Sequence, residues 1–182
     1  MGHHRVASVL AGSASARDIT KDEYVVTPSG LRILDVRVGE GAVPVDGDTV
    51  EVHWAGRTQN YQAKRIDNTS VRDEPYIFKL GSHQAIPAFE EAVASMHVGG
   101  IRRLEVLGEI PALSYPRKSS LRFTDELISA DLKIYRYRFG PQPHDFDGQR
   151  ALDFILDNDT LADTNRTLLI DIKLLAVRKG RA

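Results

Sequence analysis

Ala85-Ile86-Pro87-Ala88-Phe89-Glu90-Glu91-Ala92-Val93-Ala94-Ser95-Met96-His97-Val98-Gly99-Gly100 is the stretch from which the fold is read. Pro87 suits a first helical turn, where its missing N–H has no partner to lose. Glu90 and Glu91 fall near the positive end of the helix dipole. Phe89, Val93 and Met96 recur at i, i+4 and i+7 as one apolar stripe, and His97 followed by Gly99-Gly100 ends the run. The spacing predicts a helix from Pro87 to about Met96. One short helix with one apolar stripe needs a sheet to cover it. The expected class is therefore α+β, an antiparallel β-sheet wrapped around one short helix.

Working outward, the flanks supply that sheet. Val50, Val52 and Trp54 alternate with Glu51 and His53, the period-2 pattern of a strand with one buried face. Tyr76, Phe78 and Leu80 alternate with Ile77 and Lys79, and Leu168, Ile170, Ile172 and Leu174 give a third such face. Gly39, Gly41, Gly47 and Gly56 punctuate the turns. Beyond Ala112 the pattern weakens. Residues 123–134 read as either a helix or an irregular excursion, and Gly140-Pro141-Gln142-Pro143 as a turn or an extended stretch. Gln149 to Asn158 reads as helical, with Ala151, Leu152, Ile155 and Leu156 on one side. The organisation expected is an N-terminal arm over residues 1–22 and one domain over 23–179. That domain carries a long insertion at about 112–150, before the last strand.

With 182 residues, 42% of them apolar, the chain suits one well-cored domain. A formal net charge of -1 with mixed signs argues against a nucleic-acid partner. Arg102-Arg103 and Arg178-Lys179 are read as solvated strand ends. No apolar run approaches the ~20 residues needed to span a bilayer. The chain has no cysteine, which removes disulfides, thiol catalysis and cysteine-based metal sites. The histidines lack ligand-like spacing, so no metal and no cofactor is expected. Ala14-Ser15-Ala16 fits the small-x-small pattern at which targeting sequences are cut, and a plain flexible arm is the other reading.

Several segments resemble one family. Val52-His53-Trp54-Ala55-Gly56, Ile66-Asp67-Asn68-Thr69, Pro75-Tyr76-Ile77-Phe78-Lys79-Leu80-Gly81, Ala85-Ile86-Pro87-Ala88-Phe89-Glu90-Glu91-Ala92, Met96-His97-Val98-Gly99-Gly100 and Thr167 to Leu175 stand in the order of the motifs of FKBP-type peptidyl-prolyl isomerases. The resemblance covers Tyr24 to about Val106 and Thr167 to Val177. Thr27-Pro28-Ser29-Gly30-Leu31, Gly100-Ile101-Arg102-Arg103-Leu104 and Gly148-Gln149-Arg150-Ala151-Leu152-Asp153-Phe154 resemble its plant and algal thylakoid-lumen branch. The resemblance implies an FKBP-like fold, a chloroplast thylakoid-lumen location (with a cytoplasmic one as the alternative), and action on proline-containing polypeptides.

It also implies a site. Asp67, Ile86 and Trp54 would be its catalytic residues: the Ile86 N–H donates to a substrate carbonyl and Asp67 orients polar groups at the pocket mouth. Ile66, Tyr76, Phe78, Ala85, Phe89, Tyr115 and Ile170 would line it, with Tyr115 offering a hydroxyl. Ordinary core packing is the competing reading for Phe78, Phe89 and Ile170, and a turn or cap for Asp67. Trp54 stands where the family has a Tyr, Phe89 where it has the Trp of the floor, and Ile66 and Ile170 where it has Phe walls. Those departures leave two functions open. One is an isomerase of reduced activity. The other is a non-catalytic binding or assembly subunit attached to a photosynthetic membrane complex such as a photosystem.

Overall fold

The sheet is built around its longest strands. In the computed structural model, which describes residues 23–59 and 63–180, the chain opens with β1 (Val25–Val26), β2 (Arg32–Arg37) and β3 (Thr49–Thr58). Then come β4 (Arg65–Asn68), β5 (Tyr76–Lys79), α1 (Pro87–Ala94) and β6 (Ile101–Val106). The chain between β6 and the last strand holds α2 (Ser119–Arg122), β7 (Phe123–Ser129), β8 (Leu132–Tyr137) and α3 (Phe146–Asp157). It closes with β9 (Leu168–Arg178). The arm and Ala14-Ser15-Ala16 lie outside the described residues.

All pairings in the main sheet are antiparallel, in the order β1-β2-β6-β9-β3-β4, with β5 also paired to β3. β3 runs along β9 on one side, while β5 and β4 share its other edge end to end. This register lines up Ile170, Gly56 and Asp67 across three strands. The alternation in the sequence is what the sheet uses: Val50, Val52, Trp54, Leu168, Ile170, Ile172 and Leu174 all face the core.

α1 lays Ala88, Phe89, Ala92 and Val93 into that face, and Met96 just beyond it is buried too. Of these, Phe89, Val93 and Met96 each contribute roughly 1.5–3 kcal/mol through apolar burial, and the two alanines less. Arg102 is not a solvated strand end. It is the second residue of β6 but buried, and its guanidinium pairs with Asp35 at 2.7 Å while donating to the Ala92 carbonyl (2.7 Å) and Ser95 Oγ (2.6 Å). The C-terminal carbonyls of α1 need donors, and Arg102 supplies one from the strand beneath. Arg103 points the other way and pairs across strands with Asp171 at 2.7 Å.

The sheet wraps α1 as expected, and the chain between β6 and β9 adds a second helix to its core. α3 adds Leu152, Ile155 and Leu156 to the same core. Its N-terminus is capped by Asp145, whose carboxylate accepts from Gly148 N at 2.7 Å. Its last turn is capped by buried Arg166, which donates to the carbonyls of Ile155, Asn158 and Leu161 at 2.5, 2.8 and 2.6 Å. Residues 123–134 fall in the β7–β8 hairpin, so neither a helix nor an irregular excursion describes them. Arg122, buried at the hairpin's base, donates to the carbonyls of Pro116 (3.1 Å) and Arg117 (2.6 Å) and pairs with Asp157 of α3 at 2.6 Å.

Candidate functional site

Four aromatic rings meet where β3, β5 and α1 converge. Phe89 stands edge-on to Trp54 (centroids 5.9 Å apart, planes at 83°) and to Tyr76 (6.3 Å, 87°), and Tyr76 stacks on Phe78 at 5.2 Å. Perpendicular and offset contacts of this kind suit the ring quadrupoles. Ile66 of β4, Ile170 of β9, Ala85, Ile86 and Tyr115 are buried in the same core cluster. The residues expected to form the site are therefore brought together. Their exposure is what differs from an open cleft: Phe89 and Ile86 are 0% exposed, and Trp54 is 3% exposed.

The cover is the chain's own segment between β8 and α3. Gly140 N donates to the Gln84 carbonyl at 2.7 Å, and Ile86 N donates back to the Gly140 carbonyl at 2.9 Å, a short parallel bridge that extends the 84–86 backbone. The Gly140–Pro141 peptide bond is cis, and Pro141 is buried. The Tyr115 hydroxyl, itself buried, donates to the Pro141 carbonyl. Burial pushes the phenols of Tyr115 and Tyr76 above their ordinary range, so both stay protonated donors. Gly140 passes so close to Tyr76 that a methyl group built on it would lie 2.6 Å from the ring carbon Cζ.

Asp67 does not stand open at a pocket mouth. It is 4% exposed and takes a two-pronged ion pair from Arg72, at 2.6 and 2.9 Å. Asn68 N donates to it at 2.7 Å and His144 N, from the covering segment, at 3.2 Å. Burial raises the pKa of this carboxyl, but the Arg72 bonds and the two backbone N–H groups outweigh it and hold it below the usual carboxylate range. Four groups of the site were not read from the sequence: Arg72, Gly140, Pro141 and His144. Arg72, five residues beyond Asp67, carried a weak charge signal. The Gly140-Pro141 dipeptide showed only as a chain punctuator, because nothing local tells a proline that will fold back over a distant aromatic cluster.

An antiparallel sheet clasping one helix, with a converging set of aromatic rings and inward-aimed donors, defines a class. The model of the family described as FKBP-type peptidyl-prolyl cis-trans isomerase matches residues 41–126. The chain is 40% identical over 164 residues to the peptidyl-prolyl cis-trans isomerase FKBP19, chloroplastic, of Arabidopsis thaliana, a match covering 85% of this chain and 56% of that protein. It is 32% identical over 184 residues to FKBP17-1, chloroplastic, of the same plant, covering 96% of this chain and 70% of the relative. In structure it is similar to FkpA from Escherichia coli, with a TM-score of 0.54 and 24% identity over 88% of this chain and 54% of that one. The chain belongs to the FKBP-type peptidyl-prolyl isomerase family. These two plant relatives are both chloroplastic proteins, and this chain spans about half of the first and about two thirds of the second. Among the described residues, no helix is long and apolar enough to cross a membrane, and no group of acidic or histidine side chains is placed to hold a metal.

Proposed function

We propose that this chain catalyses cis–trans isomerisation of X–Pro bonds in proline-containing polypeptides. One observation carries the reading. Two donors, Ile86 N–H and Tyr115 O–H, converge beside the aromatic cluster and grip the carbonyls on either side of a prolyl nitrogen, those of Gly140 and Pro141. An X–Pro bond crosses a barrier of ~18–20 kcal/mol set by amide resonance. At the barrier top the amide is twisted and its C–N unit is less polar than in the planar forms. Rings that exclude water, with fixed donors for the flanking carbonyls, bind that twisted form better than either planar one. No nucleophile or general base is needed, and none is assigned. Trp54, Tyr76, Phe78, Phe89, Ile66, Ala85 and Ile170 supply the apolar surround in this reading. Asp67 acts through Arg72 and His144 to hold the mouth in shape.

The unit that does this is residues 23–179, with 112–150 as its insertion. The chloroplastic relatives and the Ala14-Ser15-Ala16 pattern support a thylakoid-lumen location. A second reading, a binding or assembly subunit on a photosynthetic membrane complex, is supported by the exposed face of α3, where Phe146 and Phe154 stand 74% and 57% exposed. Co-purification with a photosystem that is lost when both phenylalanines are changed to Ser would support it.

The test of the first reading is cis-to-trans relaxation of a short Ala-Leu-Pro-Phe peptide with the purified chain and with Asp67→Ala. The expected result is acceleration over the solvent rate that falls in the variant. No acceleration by the chain, together with none by a variant whose pocket has been cleared, overturns it.

A further inference from the structure

We propose that residues 139–143 are a built-in occupant of the isomerase pocket, a prolyl segment that holds the site shut until a substrate displaces it. This rests on the isomerase reading and adds a regulatory contact to it.

The placement is that of a bound peptide. Gly140 pairs with the 84–86 backbone as an added strand would, using the Ile86 N–H that a substrate carbonyl needs. Pro141 is buried, and its carbonyl takes the Tyr115 hydroxyl. Phe139 packs half-buried against the core on one side. On the other, His144 N reaches Asp67 at 3.2 Å. A substrate needs the same two donors, so it and the segment cannot be bound together.

The segment is also fitted to its place and tethered at both ends. Only a residue without a side chain passes Tyr76 at position 140. Upstream, Arg138 N donates to the Arg122 carbonyl at 2.8 Å, and Arg122 is fastened to Asp157 of α3. Downstream, α3 is docked on β4, where Gly148 lies against the Ile66 carbonyl. A segment held between two such anchors returns to the pocket after each opening. The occupancy is a permanent competitor rather than a passing contact.

The test compares the full chain with Gly140→Leu, whose side chain cannot pass Tyr76, and with Pro141→Ala, which removes the buried ring should the first variant fold poorly. Exchange of the Ile86 amide, followed by NMR, reads occupancy. The amide should be protected in the parent chain and exchange about tenfold faster in a variant, the factor that corresponds to one lost hydrogen bond. Turnover of the Ala-Leu-Pro-Phe peptide should rise by a similar factor in kcat/KM. A freely exchanging Ile86 amide in the parent chain overturns the proposal. So does a released amide with unchanged turnover, where the parent chain is active. If no chain turns the peptide over, the isomerase reading fails, and peptide binding decides the occupant by itself. Shifts of the Trp54 indole resonance on adding peptide to the variant but not to the parent uphold the occupant; equal shifts in both, or none in either, overturn it.

Discussion

The sheet with α1 and the chain between β6 and β9 are held by different means. The sheet is a continuous ladder in which β3, β6 and β9 bury alternate side chains against one helix stripe. The stretch from 107 to 167 carries a two-stranded hairpin of its own and one helix stripe. It is fastened at points by buried arginines that collect carbonyls, Arg122 at the hairpin base and Arg166 beneath α3. The first region draws most of its stability from many apolar contacts, with buried Arg102 fastening α1 to β6. The second depends on a few charged groups, each of which leaves several partners stranded if lost.

The largest test of that contrast is Phe89→Ala. It should cost about 3–5 kcal/mol in urea unfolding, because a buried ring leaves a cavity among its neighbours. The fluorescence of Trp54, the single tryptophan and Phe89's edge-on partner, reports the transition. A loss below about 1 kcal/mol would place Phe89 in a pocket that collapses freely. Arg166→Met should cost about 3 kcal/mol, since buried carbonyls lose charged donors. In native-state hydrogen exchange the α3 amides should lose protection while those of β3 and β9 keep theirs. Equal loss in both would mean the two regions open as one unit, and the contrast would break.

Asp67→Asn should cost about 1.5–3 kcal/mol at neutral pH, the range for hydrogen bonds to charged groups. The folded-state pKa of Asp67 is depressed. Its contribution is therefore fully present above about pH 4 and is lost as pH falls through the depressed folded value. Parent and variant should converge there, and a difference that persists in acid would assign the cost to packing. Smallest is Phe154→Ser on the exposed face of α3, expected to stay within about 0.5 kcal/mol. A larger loss would show that this face is covered in solution.

The same contrast explains what the sequence could reveal. Alternation at Val50-Val52-Trp54 and the Phe89-Val93-Met96 stripe are local signals of burial, so the sheet and its helix were legible. So was α3, because Ala151, Leu152, Ile155 and Leu156 share a helical face. The hairpin at 123–137 was not, because its two-stranded sheet stands apart from the main one and lacks the clean alternation that a buried face imposes. Arg102 was misread because two adjacent arginines look alike in sequence, and only the pleat sends one inward and the other to the surface. The aromatic cluster was legible by resemblance. What fills it was not, since the Ile86–Gly140 contact joins residues far apart in the chain, and no spacing rule reaches that distance.

The bond from Ile86 to Gly140 is made within one molecule, so dilution does not weaken it. A tethered group of this kind acts at an effective concentration on the order of millimolar. Under the occupant proposal, any free ligand is weighed against an internal rival that stays tethered beside the site, and its measured affinity is scaled by the fraction of time the pocket stands empty. A compound library scored on this protein would keep its rank order but would read every affinity weaker by that one factor. The same library on the Gly140→Leu chain would read the unhindered affinities, and the uniform gap between the two sets would measure how firmly the segment holds its seat.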